Sequence, residues 1–207
     1  GLTRGEGPDG WRENLDPGWT RNTTGAGSKR YRYGNQPNVG QWNLSRRGGA
    51  LASLVDDVAP LQSVVDDDPA RFGNAWDAAL SAKLGLTDVA LNVDVRRELA
   101  NELLEILPLV ETDMTIFFRT LGDINVTEID TTVTDDVLMQ RLHGAYYTVS
   151  ELSGEVLART ADWFRRYVTI SATTNRSPDE RRAEMHAVNP KYVLRNYLAQ
   201  LAIDKAD

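Results

Sequence analysis

The sequence predicts an all-α protein behind a Gly/Pro-rich N-terminal loop, and three observations carry that expectation. From Gln41 to the C-terminus, apolar residues recur every three or four positions, which lines one face of a helix. Twelve of the first forty residues are Gly or Pro, and no apolar periodicity survives among them. Alternation of the kind a strand needs occurs in one place, residues 123–133, which read as a short strand or an extended link. The expected division is therefore an extended segment over 1–40 and a helical domain over 41–207.

Each helix has its own justification. Trp42, Leu44, Leu51, Leu54, Val55 and Val58 suggest the first, although Gly48 and Gly49 in its middle cost about 1 kcal/mol each relative to alanine. Val58-Ala59-Pro60 interrupts it. A second helix is expected from Pro69, after Asp66-Asp67-Asp68, because carboxylates favour a helix N-terminus. Phe72, Trp76, Ala79, Leu80 and Leu84 line its apolar face, and Gly85 can stop it. Residues 93–109 repeat the pattern with Val95, Leu99, Leu103, Ile106 and Leu107. Met114, Phe117, Phe118 and Leu121 mark the next helix, and Thr134 is placed as the cap of another running to Tyr147. Residues 150–171 set Leu152, Val156, Leu157, Trp163, Phe164 and Tyr167 at helical spacing. Ser177-Pro178-Asp179-Glu180 is a start signal: a serine cap, proline at the first position and glutamate at the third. Asn189-Pro190 is read as ending that helix and beginning the last, with Val193, Leu194, Tyr197, Leu198, Leu201 and Ala202 on one face.

Composition narrows the function. At 207 residues the chain can bury a real core, as one large domain or two small ones. A net charge of −7 argues against a general nucleic-acid binder. Without cysteine there is no disulfide, no thiolate zinc site and no thiol nucleophile. His143 and His186 stand apart, on different expected helices, and read as surface or packing residues rather than metal or acid–base groups. No apolar run approaches the ~20 residues that span a bilayer. The N-terminus is polar and Gly-rich rather than a basic-then-apolar leader. The expected setting is soluble and cytoplasmic, with no nucleic acid and no membrane.

Two stretches carry more polar, aromatic and Gly/Pro detail than an ordinary helix needs. They are Tyr31-Arg32-Tyr33-Gly34-Asn35-Gln36-Pro37 through Gln41-Trp42-Asn43-Leu44, and Asn189-Pro190-Lys191-Tyr192-Val193-Leu194-Arg195-Asn196-Tyr197-Leu198-Ala199-Gln200. Before them stand Gly1-Leu2-Thr3, Gly7-Pro8, Gly10-Trp11 and Asp16-Pro17-Gly18-Trp19-Thr20, then Asn22-Thr23-Thr24. Between them stand Ala82-Lys83-Leu84-Gly85-Leu86 and Phe118-Arg119-Thr120-Leu121. In this order they resemble the selenoprotein O family, pseudokinase-fold enzymes that transfer AMP from ATP onto proteins. The resemblance covers essentially the whole chain.

What the resemblance implies is a protein-kinase-like fold. This chain would be its helical C-lobe part, and residues 1–40 an activation-loop-like segment. The intact family would use ATP with Mg²⁺ or Mn²⁺ and modify Ser, Thr or Tyr hydroxyls of protein substrates, chemistry that rests on positioning and charge neutralisation. The chain is expected to start after the nucleotide-binding lobe and the catalytic loop. The family's metal-binding Asp position falls on Gly5, and glycine offers no side-chain oxygen. No catalytic or metal-ligating residue is therefore assigned, and no cofactor is expected for this chain alone. The partners implied are protein substrates or the missing kinase-like lobe, with the oligomeric state open.

Arg4, Glu6, Asp9 and Arg12 stand where the family pattern is apolar or aromatic, and Arg47-Gly48-Gly49 replaces a more apolar stretch. A truncated, redesigned half-lobe with a solubilised interface would explain that direction. Two function classes follow. One is the C-terminal portion of an adenylyltransferase, inactive in isolation. The other is a catalytically silent, engineered helical scaffold or protein-interaction module.

The remaining polar groups have plainer readings. Glu6 and Asp9 are taken as solvated rather than as a substitute metal carboxylate. Asp135-Asp136 and Asp66-Asp67-Asp68 are first-turn carboxylates. Asn35-Gln36-Pro37 with Trp42-Asn43 reads as a loop-to-helix junction or as one wall of the family's site. Lys191 and Arg195, four apart, are placed on one helical face, able to meet a phosphate but expected to pair with acidic residues. Thr23, Thr24, Ser28 and Tyr31 are self-modification sites by analogy only. Docking of Trp11, Trp19, Tyr31 and Tyr33 onto the helices would pin the N-terminal loop.

Overall fold

The structure, a computed structural model, describes residues 14–18, 30, 32–88, 90–193 and 195–205. Among them the chain is mostly helical and contains no strand, as the apolar spacing requires. An isolated antiparallel bridge joins Thr112 and Tyr146. The chain divides into two compact units, one of residues 1–15 with 78–207 and one of residues 16–77.

In the smaller unit a 3-10 turn, Tyr33–Asn35, leads into α1, Gln36–Leu51. This helix begins five residues before the expected Gln41. Pro37 sits in its first turn, where the missing N–H costs nothing and the fixed φ suits a helix. It ends in a 3-10 turn, Ala52–Leu54, so Val55 and Val58 lie beyond it. The expected apolar stripe is not buried: Trp42, Leu51, Leu54, Val55 and Val58 are exposed, and Val39 is the residue that α1 buries.

The second helix, α2, runs Ala59–Leu84, starting ten residues before Pro69 and carrying that proline inside it. Pro60 lies in the first turn, and the Asp57 carboxylate accepts the Ala59 N–H at 2.9 Å. Leu61, Val65, Trp76, Leu80 and Leu84 keep helical phase across Pro69, with the first three half-buried and the last two buried. Phe72, expected on this face, is exposed, yet the residues that keep phase on either side of Pro69 outweigh the lost hydrogen bond to the Val65 carbonyl. Asp66-Asp67-Asp68 is consequently mid-helix, not a first turn. The stop at Gly85 is as expected. Its φ of +67° is a left-handed conformation that glycine takes freely, and a Cβ there would meet Met185 Sδ at 2.8 Å.

The larger unit holds the aromatic core. α3, Val93–Ile106, is capped by Asn92, whose side chain accepts the Asp94 N–H at 2.7 Å. Leu99, Leu103, Ile106 and Leu107 are buried, whereas Val95 is exposed. α4, Met114–Asp123, starts on the Asp113 cap and buries Phe117, Phe118 and Leu121. Residues 123–133 are not a strand. Asn125 and Asp130 side chains take the N–H groups of Thr127 and Thr132, holding a 3-10 turn at Val126–Glu128 and a tight bend after it.

α5 is short, Asp135–Met139, and tightens into a 3-10 segment, Gln140–Ala145, instead of continuing to Tyr147. Backbone bonds to the strap before α4 end it: Asp113 N–H to the Ala145 carbonyl at 2.7 Å, and Tyr147 N–H to that of Glu111 at 3.1 Å. The Thr134 side chain makes no cap bond. α6, Gly154–Ala172, supplies Trp163, Phe164 and Tyr167 to the core, and α7, Pro178–Val188, begins on the expected capping box. Trp163 stacks on Tyr167 at 5.3 Å between centroids and donates its indole N–H to the Leu99 carbonyl at 2.9 Å. The last helix, α8, is Asn196–Asp204, and residues 190–193 and 195 before it are not helical.

Candidate functional site

Three of the polar landmarks meet in the larger unit, at the join of α2, α4 and α7. Lys83, in the last turn of α2, is buried and donates to the Asn189 side-chain oxygen at 3.1 Å. Asn189 returns its amide to the Lys83 carbonyl at 2.9 Å, satisfying an orphan acceptor at the helix end. Arg119, on α4, donates to the Asn189 carbonyl at 3.1 Å. The Lys83 ammonium lies 5.2 Å from the Phe118 ring centroid, on the face that attracts cations.

Electrostatically the join is unusual. Among the described residues no carboxylate pairs with Lys83, and burial pushes its pKa down to about 8. Arg181 on α7 is likewise buried and is met by the Leu121 and Ile124 carbonyls, each at 3.1 Å, and by the Tyr167 hydroxyl. Those carbonyls belong to the C-terminal end of α4, where the helix dipole favours a cation. Burial raises the Tyr167 hydroxyl's pKa, opposed by Arg181. His186 Nε2 approaches Asp123 Oδ1 at 3.2 Å, outside hydrogen-bond geometry, and Asp123 also pairs with Arg182 at 2.7 Å. Desolvation, then the Arg119 charge, holds His186 below its usual pKa, with Asp123 opposing.

The Lys191–Arg195 expectation is corrected here. Because Lys191, Tyr192, Val193 and Arg195 are not helical, Lys191 and Arg195 share no helix face. Arg195 instead precedes α8 and pairs with the buried Asp113 at 2.6 Å, the ion pairing expected of it. Asp113 uses its other oxygen to accept the Ile116 N–H at 2.9 Å. The bonds on Asn189 and on Arg195 tie both ends of this stretch to α2, α4 and the α4 cap. Lys191 is exposed, with its ammonium 5.3 Å from the Tyr192 ring centroid.

In the smaller unit the Asn35–Trp42 stretch is a loop-to-helix junction. The Asn35 amide donates to the Arg30 carbonyl at 2.6 Å, and Asn38 donates to the Asn35 side-chain oxygen at 3.0 Å. Gly34 N–H reaches the Pro17 carbonyl at 2.9 Å, and a Cβ at position 34 would crowd that oxygen at 3.1 Å. Trp42 is 43% exposed, with the Arg30 guanidinium 4.0 Å and the Arg46 guanidinium 5.3 Å from its ring centroid.

Gly5, with Arg4, Glu6, Asp9 and Arg12, lies outside the described residues, as do Trp11, Trp19, Thr23, Thr24, Ser28 and Tyr31. Among the described residues no three His, Asp or Glu side chains are grouped to hold a metal ion. The buried cations were missed by sequence reasoning. Their signal was available, since Lys83 and Arg181 each fall on the buried face of an otherwise well-phased helix. As placed, they satisfy helix-end carbonyls and join elements.

A family model described as "Protein adenylyltransferase SelO" matches residues 1–207. Proteins named "Protein nucleotidyltransferase YdiU" are similar across the chain. That of Rhodopirellula baltica is 43% identical, covering 100% of this chain and 39% of its own. The Flavobacterium johnsoniae protein is 39% identical over 100% and 38%, and the Nitrosospira multiformis protein 40% identical over 99% and 39%. The chain thus spans about two-fifths of the length of these relatives.

Proposed function

The chain belongs to the SelO family of protein adenylyltransferases, and from that premise we propose that it is the helical C-terminal portion of an AMP-transfer enzyme and is silent by itself. In the intact protein it would form part of a kinase-like C-lobe that presents protein hydroxyls to ATP and its metal. The observation that carries this reading is the employment of the landmark side chains. Lys83, Arg119 and Asn189 are committed to one another and to helix-end carbonyls. Arg195 is committed to Asp113. Groups so engaged support a site from behind rather than touch a nucleotide. Gly5 points the same way, since the position that should hold metal has no oxygen to offer.

The test is incubation of the purified chain with ATP labelled in its α-phosphate, with Mg²⁺ or Mn²⁺, beside a full-length relative and the Gly5→Asp variant. The expected result is label on protein with the relative alone. Covalent AMP on this chain or on an added protein would sink the silent reading. AMP transfer by Gly5→Asp would show that one carboxylate suffices. A silent scaffold or protein-interaction module is the second reading, favoured by the exposed Arg30–Trp42–Arg46 stack.

A further inference from the structure

On the reading above, AMP ends on a protein hydroxyl, so the hydroxyls of this chain divide by what they already do. Thr160, Thr169 and Thr173 donate to carbonyls of α6. Thr127 and Thr132 donate to Asn125 and Asp130, and Ser177 donates to Glu180. Tyr146 and Tyr167 are buried. Tyr192 differs, because it is 82% exposed, with its ring centroid 5.3 Å from the Lys191 ammonium.

The backbone holds that phenol out. Residues 190–193 are not helical, and Pro190 has no N–H with which to extend a helix. On one side stands Asn189, buried and bonded both ways with Lys83. On the other, Arg195 pairs with Asp113 at 2.6 Å. A non-helical stretch between two anchors can enter a cleft without any helix unwinding. Its charge also suits a nucleotide. From Ala187 to Ile203 stand Lys191 and Arg195 and no Asp or Glu, in a protein of net charge −7. Arg195 answers Asp113, and Lys191 is the cation beside the phenol.

We propose that Tyr192 is an acceptor site, on whose hydroxyl an adenylyltransferase of this family places AMP. The inference rests on the reading that the family's acceptors are protein hydroxyls. The phenolic oxygen attacks the α-phosphorus of ATP. The bond from that phosphorus to the bridging oxygen breaks, and pyrophosphate leaves with the electron pair. The phenolic proton is released to water. The product is an aryl phosphodiester with a single negative charge, set beside the Lys191 ammonium. The same ammonium attracts the triphosphate as it approaches.

The test gives the whole 207-residue chain to a full-length relative with Mg²⁺ and ATP labelled in its α-phosphate. Mass spectrometry then locates the modified peptide. AMP at Tyr192 is expected, lost in Y192F and kept in Y147F, which changes another exposed phenol. Y192F alters a surface position, so its far-UV helicity should match that of the parent. K191Q should slow labelling severalfold, and raised salt should narrow its gap from the parent, since charge steering is screened. Full labelling of Y192F would overturn the proposal. So would a relative that labels itself and leaves this chain unmarked, an outcome under which the AMP-transfer reading still stands. Label on the chain in the absence of the relative would sink the silent reading instead, and its position would still decide for or against Tyr192.

Discussion

Lys83 carries an ammonium into the core of the larger unit with an amide oxygen and a phenyl face for company. In the unfolded chain it titrates at its ordinary 10.5, and in the folded chain at about 8. Between those values the unfolded state holds a proton that the folded state has released, so stability rises with pH. Below about 8 both states are charged and the burial cost is felt in full. Above about 10 the trend reverses, because burial raises the Tyr146 and Tyr167 hydroxyls and the unfolded state ionises first. We expect urea-unfolding free energy to climb by about 1–3 kcal/mol from pH 7.5 to 9.5 and Lys83→Met to flatten that rise. An unchanged slope in the variant would place the titration elsewhere. Lys83 stood in the sequence as part of a landmark, but its burial followed from Asn189, far away in the chain, and no local pattern encodes that meeting.

Elements show which signals were sufficient. The Ser177–Glu180 box and the Gly85 stop act within a few residues, so they were readable and the helix ends fall there. Where α2 begins was decided by a stripe that keeps phase through Pro69, a longer-range effect than the local proline penalty. The start of α8 was decided by Arg119 and Asp113, which belong to α4 and its cap. If α2 tolerates Pro69 rather than needing it, Pro69→Ala restores the bond to the Val65 carbonyl and stabilises the helix. The expected gain is about 1–3 kcal/mol, read from thermal melts followed by far-UV circular dichroism. A lower melting temperature would mean that the proline sets a bend on which the packing depends.

At the scale of the whole molecule the two units differ in how they are held. Among its described residues the unit of 16–77 buries Val39 alone, whereas the other encloses Trp163, Tyr167, Phe117, Phe118 and Phe164. Amides of α1 should therefore exchange with deuterium at least ~100-fold faster than those of α6, since local opening follows buried apolar contact. Equal protection in both would mean that α1 opens only with the rest of the molecule. The all-α class was legible because periodicity is a property of the whole chain. The candidate site was legible only as a set of motifs, since its bonds cross from one motif to another. One of those crossings bears on how the protein is made. Lys83 and Asn189 stand 106 residues apart. At ordinary elongation speeds about 5–20 s separate their appearance on the ribosome. Throughout that interval the α2 end is without its partner, and its closure waits for nearly the last helix to emerge.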